Sequence, residues 1–533
     1  MSGGRIHGGE VFARALEREG VRTLFSLGGG HIDPLWWAAP GRGIKIVHVR
    51  HEAAAAHCAE GWALATGEPG VCAVTAGPGL TNALTGIATA WAQGSPLVVI
   101  AGSATLRGED SGEVEFLDQL ALVRPVTKWA RRIYHLDRIP EFVAAAFREA
   151  RAGRPGPVYL EIAIDLIHSE VLESELAWPE RLPPEIRELA PAPELIERAA
   201  RALEGAERPA LVAGSGVFWS GAGAELRALV EGAGLPFATR QAARGLLSDD
   251  HPLSLGRDWQ NLVYQADALL VVGKQLDHFF GLGQFHHLRE LVQIDIHPGE
   301  LGKNRAPVSV PLLADARPAL RALAERLPRL KTDAWVTQLR KQADEIAGHR
   351  AELAAREQVP MHPLRLCAAV LERLRPDATV VGDASNMLMW VDAALRARHP
   401  GCTPQMGNLG TIGHGVCYAL AGALARPGSQ AVWMVGDGSF GFNAMELDTA
   451  ARYGVPLVAI VMNNLGWSAT WVPMGLRHYE RLAPGFDGVG ELVERPEELG
   501  PALDRAFASK MPSVVNVLVD PAAEYFPGRA LGA

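Results

Sequence analysis

The sequence predicts an α/β protein made of three doubly wound parallel-sheet domains, and three observations support this. Apolar runs of strand length alternate with helical segments along most of the 533 residues. Several of these runs end in glycine-rich turns that carry a polar residue, as at the ligand edge of such sheets. With 48% hydrophobic residues, the chain can bury several cores. We predict domains at residues 1–170, 194–330 and 358–533.

Composition and charge exclude several classes of protein. The net charge of −9 gives no basic surplus that would point to nucleic acid. No apolar run reaches the roughly 18 residues of a membrane span, and the N-terminus has no apolar signal segment. The five cysteines are scattered and never in Cys-x-x-Cys spacing, which argues against a disulfide framework and a zinc site. We therefore expect a cytoplasmic protein without nucleic-acid or membrane partners.

The first domain begins with an amphipathic helix at residues 8–20, followed by a strand and a glycine-rich turn that leads to His31. The run IKIVHVR is the next strand, and Glu52 opens an alanine-rich helix just after it. GVCAVTAG is a third strand, which ends in the Gly77-Pro78-Gly79 turn. Strand–helix units of this kind gather His31, Glu52 and the glycine turn at one edge of a parallel sheet.

Both polar candidates in this domain also have simpler interpretations. An acidic residue such as Glu52 is favourable in the first turn of a helix because of the helix dipole. A histidine in a glycine-rich turn, such as His31, is more often a surface or capping residue. Their expected position at one sheet edge is what makes them functional candidates.

The middle of the chain carries weaker signals. Residues 171–193 are rich in Pro and Glu and predict a linker. Residues 194–330 repeat the strand–helix pattern, but GSGVFWSGAG is not a complete Gly-x-Gly-x-x-Gly fingerprint, so dinucleotide binding is not favoured there. A charged helix over residues 332–358 is expected to connect to the third domain.

The third domain contains the pattern around which the rest of the sequence is organised. The apolar run AVWMV ends in Gly436-Asp437-Gly438, a helix is predicted over residues 443–453, and the run LVAIVM ends in Asn463-Asn464. Because parallel strands end at the same edge of a sheet, Asp437 and Asn464 should meet there. A carboxylate, an amide oxygen and a glycine-rich backbone suit Mg²⁺ and phosphate oxygens, although each piece alone is an ordinary turn or loop.

Gly-Asp-Gly, then 24 residues, then Asn-Asn, each after a strand, resembles the diphosphate and metal motif of thiamine-diphosphate (ThDP) enzymes. With the glutamate that follows a strand in the first domain, the chain resembles the acetolactate synthase and pyruvate oxidase type of this superfamily over essentially its full length. The resemblance implies a pyrimidine-binding, a middle and a diphosphate-binding domain, in that order. It also implies an active site between two subunits. We therefore expect at least a homodimer, and we expect two dimers to pair into a homotetramer.

The resemblance assigns roles to individual residues. The expected Mg²⁺ ligands are Asp437, Asn464 and the Gly466 carbonyl, and the expected ThDP-binding residues are Pro78, Asn82, Ser385, Asn386, Gly410, Ile412, Gly436, Gly438 and Ser439. Ile412 would be the apolar wedge that bends the cofactor. Glu52 would face the aminopyrimidine, where a carboxyl group favours the imino tautomer that removes the thiazolium C2 proton.

Within the superfamily, four segments of the first domain are most similar to benzaldehyde lyase and the 2-hydroxyacyl-CoA lyases: LFSLGGGHIDPLW, VRHEAAAAHCAEGWA, VTAGPGLTNALT and DQLALVRPVTKWARR. His31 is the discriminating residue, since acetolactate synthases usually carry a non-ionisable residue there. The expected substrate pocket contains Gly30, Val114, Trp467 and Ala469. Val114 stands where benzaldehyde lyase has a pocket glutamine, and this departure weakens the case for aromatic acyloin cleavage.

The resemblance therefore implies a ThDP- and Mg²⁺-dependent lyase or carboligase that acts on 2-hydroxy ketones or 2-hydroxyacyl-CoA, with an aldehyde or formyl-CoA as donor or product. One alternative is an acetolactate-synthase-type carboligase that decarboxylates pyruvate, with FAD as a candidate for the middle domain. Another is a non-catalytic homologue that binds ThDP. The intact Glu52, Asp437 and Asn464 argue against the last alternative.

Overall fold

The structure is a computed structural model, and it describes residues 4–180, 188–383, 385–403, 407–467 and 472–523. By its packing, the chain divides into two compact units. The first unit comprises residues 1–186 with Val416–Ala425 and Asn443–Tyr453, and the second comprises the remainder of the chain.

The N-terminal part of the first unit is built around one parallel sheet. Its elements are β1 Arg5–His7, α1 Gly8–Arg18, β2 Thr23–Ser26, α2 Asp33–Ala38, β3 Lys45–His48, α3 Glu52–Thr66, β4 Gly70–Val74, α4 Pro78–Gln93, β5 Leu97–Ser103, α5 Gln119–Val123, β6 Trp129–Ile133, α6 Ile139–Arg151, β7 Pro157–Ala163, α7 Ile164–Ile167 and β8 Glu170–Leu172. Six strands pair in the order β3-β2-β4-β5-β7-β6, while β1 and β8 form an antiparallel pair. Because the six strands are parallel, their carboxyl ends share one edge.

Packing in this part follows from the sequence. Strands β4, β5 and β7 are buried along their whole length, as mainly apolar runs predict for the centre of a parallel sheet, although β7 also buries Glu161. Helices α1 and α6 cover the sheet with a continuous apolar cluster that includes Phe12 and Phe147. Helices α3 and α4 pack closely on each other because Gly86 has no side chain: a Cβ there would lie 2.5 Å from the Ala56 Cβ.

The middle part of the chain, in the second unit, forms a second parallel sheet. Its elements are α8 Pro193–Glu204, β9 Pro209–Ala213, α9 Ser215–Trp219, α10 Gly223–Ala233, β10 Phe237–Thr239, α11 Trp259–Gln265, β11 Ala268–Val272, β12 Glu290–Asp295, β13 Val310–Leu313 and α12 Ala316–Arg326. The strand order is β10-β9-β11-β12-β13, and two apolar clusters line its faces. The connecting helix α13 Asp333–Ala354 follows, as the charged segment predicts.

The third sheet is also parallel. The elements are α14 Pro363–Leu371, β14 Thr379–Asp383, α15 Ser385–Ala394, α16 Gly415–Ala425, β15 Ala431–Gly436, α17 Asp437–Phe440, α18 Glu446–Arg452, β16 Val458–Asn463, β17 Gly466–Trp467, β18 Val472–Pro473, β19 Val489–Val493, α19 Pro496–Ala508 and β20 Ser513–Leu518. Five strands pair in the order β14-β15-β16-β20-β19, and β17 with β18 forms a short antiparallel ribbon. Strands β15 and β16 are therefore adjacent, as the motif requires.

Two segments that follow β14 in the sequence, Val416–Ala425 and Asn443–Tyr453, belong to the first unit and are hydrogen-bonded to its N-terminal part. In α16, the Tyr418 hydroxyl donates a hydrogen bond of 2.7 Å to the carboxylate of Glu60, which is completely buried. Beside α18, the Tyr453 hydroxyl donates to the Ile46 carbonyl at 2.8 Å, and the Glu446 carboxylate accepts from the Arg50 N–H at 2.9 Å. Burial raises the pKa of Glu60 and of Glu446 to about 7 in each case.

The predicted fold class is confirmed, with three parallel sheets flanked by helices. One local prediction differs from the structure. The helix expected over residues 443–453 begins only at Glu446, after the short α17 and a turn. Ser385 and Asn386, which the resemblance assigns to a diphosphate-binding turn, are the first two residues of α15. None of the described helices is long and apolar enough to cross a membrane.

Candidate active site

The three positions predicted for the ligand edge of the first sheet follow neighbouring strands. His31 comes after β2, Glu52 after β3, and the Gly77-Pro78 turn after β4. Strand β2 lies between β3 and β4, and all three are parallel, so these positions share the carboxyl edge of the sheet. Ligands of open α/β sheets bind at this edge.

Glu52 is buried, with 6% of its surface exposed, and it is the first residue of α3. The Asn82 side-chain amide, near the start of α4, donates a hydrogen bond of 3.0 Å to Glu52 Oε2. The start of α3 is fixed by His51, whose Nδ1 accepts from the Ala53 N–H at 3.1 Å. Asn82, predicted to bind the cofactor, thus holds one oxygen of the predicted acid–base carboxyl and fixes its direction.

His31 lies against a carboxylate and a hydroxyl. Its Nδ1 is 3.1 Å from Glu115 Oε2 and 3.2 Å from Thr75 Oγ1. Glycine makes this arrangement possible, because a Cβ on Gly102 would lie 2.2 Å from the His31 Cβ. Neither Thr75 nor Glu115 was among the residues selected from the sequence. A threonine directly after β4, and so beside the glycine turn, is the signal that could have identified the first of them.

The two predicted pocket residues of this unit occupy open positions. Gly30 is exposed, and a Cβ added to it would meet no atom within 4 Å. Val114 is 81% exposed, whereas its neighbour Glu115 is the residue that contacts His31. Pro78 is the first residue of α4. The roles predicted for Gly30, Val114 and Pro78 stay predictions.

In the second unit, the Asp437 carboxylate, the Asn464 side-chain amide and the Gly466 carbonyl converge between the ends of β15 and β16. The Asn464 amide NH₂ group donates hydrogen bonds to the Gly466 carbonyl oxygen at 2.8 Å and to Asp437 Oδ1 at 3.1 Å. Rotation of the amide by half a turn would present its oxygen beside the other two instead. A carboxylate, an amide oxygen and a backbone carbonyl are hard oxygen ligands, so the donor set fits a hard divalent cation.

Asp437 is the charged member of these three groups, and 4% of its surface is exposed. Burial raises its pKa to about 6, although hydrogen bonds from the Gly438 N–H at 2.9 Å and the Gly466 N–H at 3.1 Å favour the ionised form. A cation in contact with the carboxylate would remove this desolvation cost. Asp437, Asn464 and Gly466 are thus brought together as the sequence pattern predicts.

Asp383, at the end of β14, organises the surrounding turns and was missed by the sequence reasoning. Its carboxylate is completely buried and accepts four hydrogen bonds. The donors are the Gly413 N–H at 2.9 Å, the Gly415 N–H at 2.8 Å, the Ser439 hydroxyl at 2.8 Å and the Trp433 indole N–H at 3.1 Å. An acid at the end of a strand is the same signal that identified Asp437, and it could have identified Asp383 as well.

The segment that precedes Gly413 carries two predicted cofactor residues. Gly410 has a φ of +69°, which glycine adopts without strain, and a Cβ there would meet no atom within 4 Å. Ile412 is half-buried. The Gly413 N–H also donates to the Ser439 Oγ at 3.0 Å. Asp383 and Ser439 thus connect this segment to the turn that follows β15.

The predicted residues Gly436, Gly438, Ser439 and Trp467 lie in or against the turn that follows β15. Gly436 ends β15, and the Trp467 ring packs on Gly438, where a Cβ would lie 2.6 Å from the ring. Ser439 is buried, and its hydroxyl is used within the protein. Ser385 and Asn386 are the first two residues of α15. Ala469 lies outside the described residues.

Comparison with known proteins identifies the family. Residues 6–122 match the thiamine pyrophosphate enzyme N-terminal TPP-binding domain, residues 196–323 the central domain, and residues 383–517 the C-terminal TPP-binding domain. The acetolactate synthase large subunit IlvG of Mycobacterium tuberculosis is 35% identical over 98% of this chain and 97% of its own length. The chain belongs to the thiamine pyrophosphate enzyme family.

Other relatives represent both branches that the sequence resembles. The probable acetolactate synthase large subunit of Methanocaldococcus jannaschii is 31% identical over 97% of this chain and 92% of its own length. The 2-hydroxyacyl-CoA lyase 1 of Mus musculus is 30% identical over 97% of this chain and 94% of its own length. The thiamine pyrophosphate enzyme described here is therefore related to synthases and lyases alike, and its TPP-binding domains support ThDP as the cofactor.

Proposed function

We propose that this protein is a ThDP- and Mg²⁺-dependent carbon–carbon lyase and carboligase. Its substrates would be 2-hydroxy ketones or 2-hydroxyacyl-CoA, with an aldehyde or formyl-CoA released or consumed. The observation that carries the proposal is the position of His31 at the carboxyl edge of the first sheet, with its Nδ1 3.1 Å from a carboxylate oxygen. A histidine held in this way is a general acid–base group, which bond cleavage beside a hydroxyl requires.

Bound ThDP would supply a nucleophilic carbon that adds to carbonyl carbons. Glu52 would exchange a proton with the cofactor's aminopyrimidine, directed by the hydrogen bond that Asn82 donates to its Oε2. Asp437, Asn464 and the Gly466 carbonyl would hold Mg²⁺ against the diphosphate, with the Asn464 amide turned so that its oxygen faces the cation.

His31 would act on the substrate. When a C–C bond beside a hydroxyl-bearing carbon opens to give a carbonyl, the hydroxyl proton must leave, and His31 would accept it. In the ligation direction the same nitrogen would return the proton. Decarboxylation of pyruvate removes CO₂ and needs no base for that step, so His31 would act at the steps that cleave or form the C–C bond and not at decarboxylation.

A second candidate function is an acetolactate-synthase-type carboligase that decarboxylates pyruvate. Its support is the identity to IlvG, which at 35% exceeds the 30% identity to the mouse lyase. If the protein is such a synthase, FAD is a candidate ligand of the middle domain. If it is a lyase, the candidate ligand of that domain is a CoA or ADP moiety. The non-catalytic alternative is disfavoured because Glu52, Asp437 and Asn464 are all present in the sequence.

The test compares two activities in one variant. We expect His31→Ala to lower cleavage and ligation about 10²-fold, the usual effect of losing one acid–base group, while any pyruvate decarboxylation changes only a few-fold. Asp33→Asn is a matched control, since Asp33 lies on the same turn at the start of α2. Equal losses of both activities in His31→Ala would give His31 a general structural role and would contradict the proposal.

We further propose that the protein forms a homodimer, because active sites in this family lie between two subunits. We also propose that two dimers pair into a homotetramer and that the protein is cytoplasmic. Mass photometry of the purified protein tests this directly. A monomer that is fully active at nanomolar concentration would contradict it.

A further inference from the structure

We propose that Glu115 is the positioning residue for His31: it fixes the ring so that Nδ1 carries the proton and Nε2 is free to accept one from the substrate. The inference rests on the proposed function, since it assigns His31 a partner in that reaction. No sequence pattern selects Glu115, which lies in a stretch without periodicity between β5 and α5.

Three polar groups form a closed cluster. The Glu115 Oε2 lies 3.1 Å from His31 Nδ1 and accepts a hydrogen bond of 3.2 Å from the Thr75 hydroxyl. The Thr75 Oγ1 is itself 3.2 Å from His31 Nδ1. With the Thr75 proton directed at the carboxylate, Nδ1 faces two oxygen acceptors and must be the protonated nitrogen. The other ring nitrogen, Nε2, is then the base.

The segment that carries Glu115 is fixed against the glycine turn. Glu115 has a φ of +62°, in the left-handed region that a glutamate rarely adopts. Its backbone lies directly over Gly77, where a Cβ would come within 2.8 Å of the Glu115 carbonyl oxygen. The Gly77 N–H donates to Gln119 Oε1 at 2.8 Å, and the Gln119 amide donates to the Gly102 carbonyl at 2.9 Å.

A second contact fixes the earlier part of the same segment. Glu113 accepts hydrogen bonds from the Thr105 N–H at 2.9 Å and the Thr105 hydroxyl at 2.6 Å. These hydrogen bonds lower the pKa of Glu113, so its carboxylate stays ionised and the contact persists at neutral pH. The unusual backbone conformation of Glu115 is thus maintained from both sides, and strain of this kind is concentrated at functional positions.

The arrangement has a chemical consequence. A carboxylate on Nδ1–H sets the tautomer and orientation of the imidazole, and it stabilises the imidazolium that forms when Nε2 accepts a proton. The side chains are shielded without being sealed, since 14% of His31 and 29% of Glu115 is exposed. A substrate can therefore reach the ring while the carboxylate retains its partner.

The test is a double-mutant cycle on the holoenzyme, with kcat and KM measured separately for acyloin cleavage. We expect Glu115→Ala to lower kcat by about 10- to 100-fold, with KM changed little, because the group acts through His31. We expect His31→Ala and the double variant to be equally impaired, since Glu115 has nothing to position once the imidazole is gone. Glu115→Gln keeps an oxygen acceptor for Nδ1–H and should recover a part of the loss.

The control is Asp110→Asn, which removes a carboxylate from the same segment. Asp110 is exposed and has the same φ of +62°, which asparagine also adopts readily. We expect its kinetics to stay within about two-fold of the wild type, in the range of a neutral surface change. Losses that multiply in the double variant, or an Asp110→Asn loss equal to that of Glu115→Ala, would overturn the inference.

A measurement without turnover separates this inference from the proposed function. Solid-state ¹⁵N NMR of histidine-labelled apoprotein reports the tautomer of each imidazole, and the His31 signals are those absent from His31→Ala. We expect the Nδ1–H form in the wild type and a shift towards Nε2–H in Glu115→Ala. Unchanged His31 signals would overturn the role of Glu115. Wild-type protein that has the expected tautomer but no lyase or ligase activity would instead refute the proposed function.

Discussion

A substitution of Asp383 provides the sharpest test of how the second unit positions the segment that is expected to bind ThDP. In Asp383→Asn, one carboxylate oxygen becomes an NH₂ group inside a site that presents four donors. The best orientation keeps the amide oxygen on the Gly415 N–H and the Trp433 indole, and directs the NH₂ group at the Ser439 hydroxyl, which can rotate to accept. The Gly413 N–H then loses the carboxylate oxygen at 2.9 Å and keeps only the Ser439 Oγ at 3.0 Å, while the buried Ser439 hydroxyl proton loses the acceptor to which it donated at 2.8 Å.

The magnitude follows from that count. A buried donor without its partner costs about 1–3 kcal/mol, and a bond to a neutral acceptor contributes about 1 kcal/mol less than one to a charge. The unpaired donor and the weakened hydrogen bonds together should destabilise the site by about 3 kcal/mol, since relaxation of the segment offsets a part of the loss. The free protein can relieve this hydrogen-bond mismatch by displacing residues 410–413, and ThDP binding would then have to restore their position. We therefore expect ThDP affinity to fall roughly 10²-fold at 25 °C.

The assay is calorimetric titration of ThDP at saturating Mg²⁺, with far-ultraviolet circular dichroism to show that the variant is folded. Asp504→Asn is the matched control, because Asp504 lies in the same region and pairs with Arg373 at the surface. Its affinity should equal that of the wild type. Wild-type affinity in Asp383→Asn would show that the buried carboxylate does not position the binding segment, and the reasoning would be wrong.

Three further predictions concern the ligand edges. Glu52→Gln should lower turnover by about 10² or more with a smaller effect on ThDP binding, and a wild-type rate of C2-proton exchange in this variant would refute the role of Glu52. Asp437→Ala should make ThDP binding require far more Mg²⁺, and titrations that are insensitive to EDTA in both proteins would exclude the metal site. Because the pKa of Asp437 is raised to about 6, its carboxylate is protonated below that pH, so Mg²⁺-dependent ThDP affinity should be level above about pH 6 and fall as the pH drops further. A flat profile down to pH 5 would contradict this.

The sequence predicted those parts of the site that depend on regular structure. Asp437 and Asn464 follow apolar runs that become adjacent parallel strands, so their meeting could be expected. Glu52 could be predicted for the same reason, as a polar residue between a strand and an alanine-rich helix.

What could not be predicted depends on irregular backbone or on tertiary contacts. Glu115 reaches His31 through a left-handed conformation in a segment without periodicity, and only its packing over Gly77 determines where it points. Asp383 carried the same strand-end signal as Asp437, but the four donors around its carboxylate depend on tertiary contacts that the sequence does not show. The packing of Tyr418 against Glu60, which are far apart in the sequence, carries no local signal at all.

The most direct test of the central claim is a substrate comparison with the purified wild-type protein in the presence of ThDP and Mg²⁺. The substrates are pyruvate alone, an acyloin such as benzoin, and formyl-CoA with a ketone. We predict acyloin cleavage or formyl-CoA ligation that is lost without either ThDP or Mg²⁺, and pyruvate consumption that is slower. Rapid condensation of pyruvate, with neither acyloin cleavage nor formyl-CoA ligation, would contradict the lyase assignment and support an acetolactate synthase.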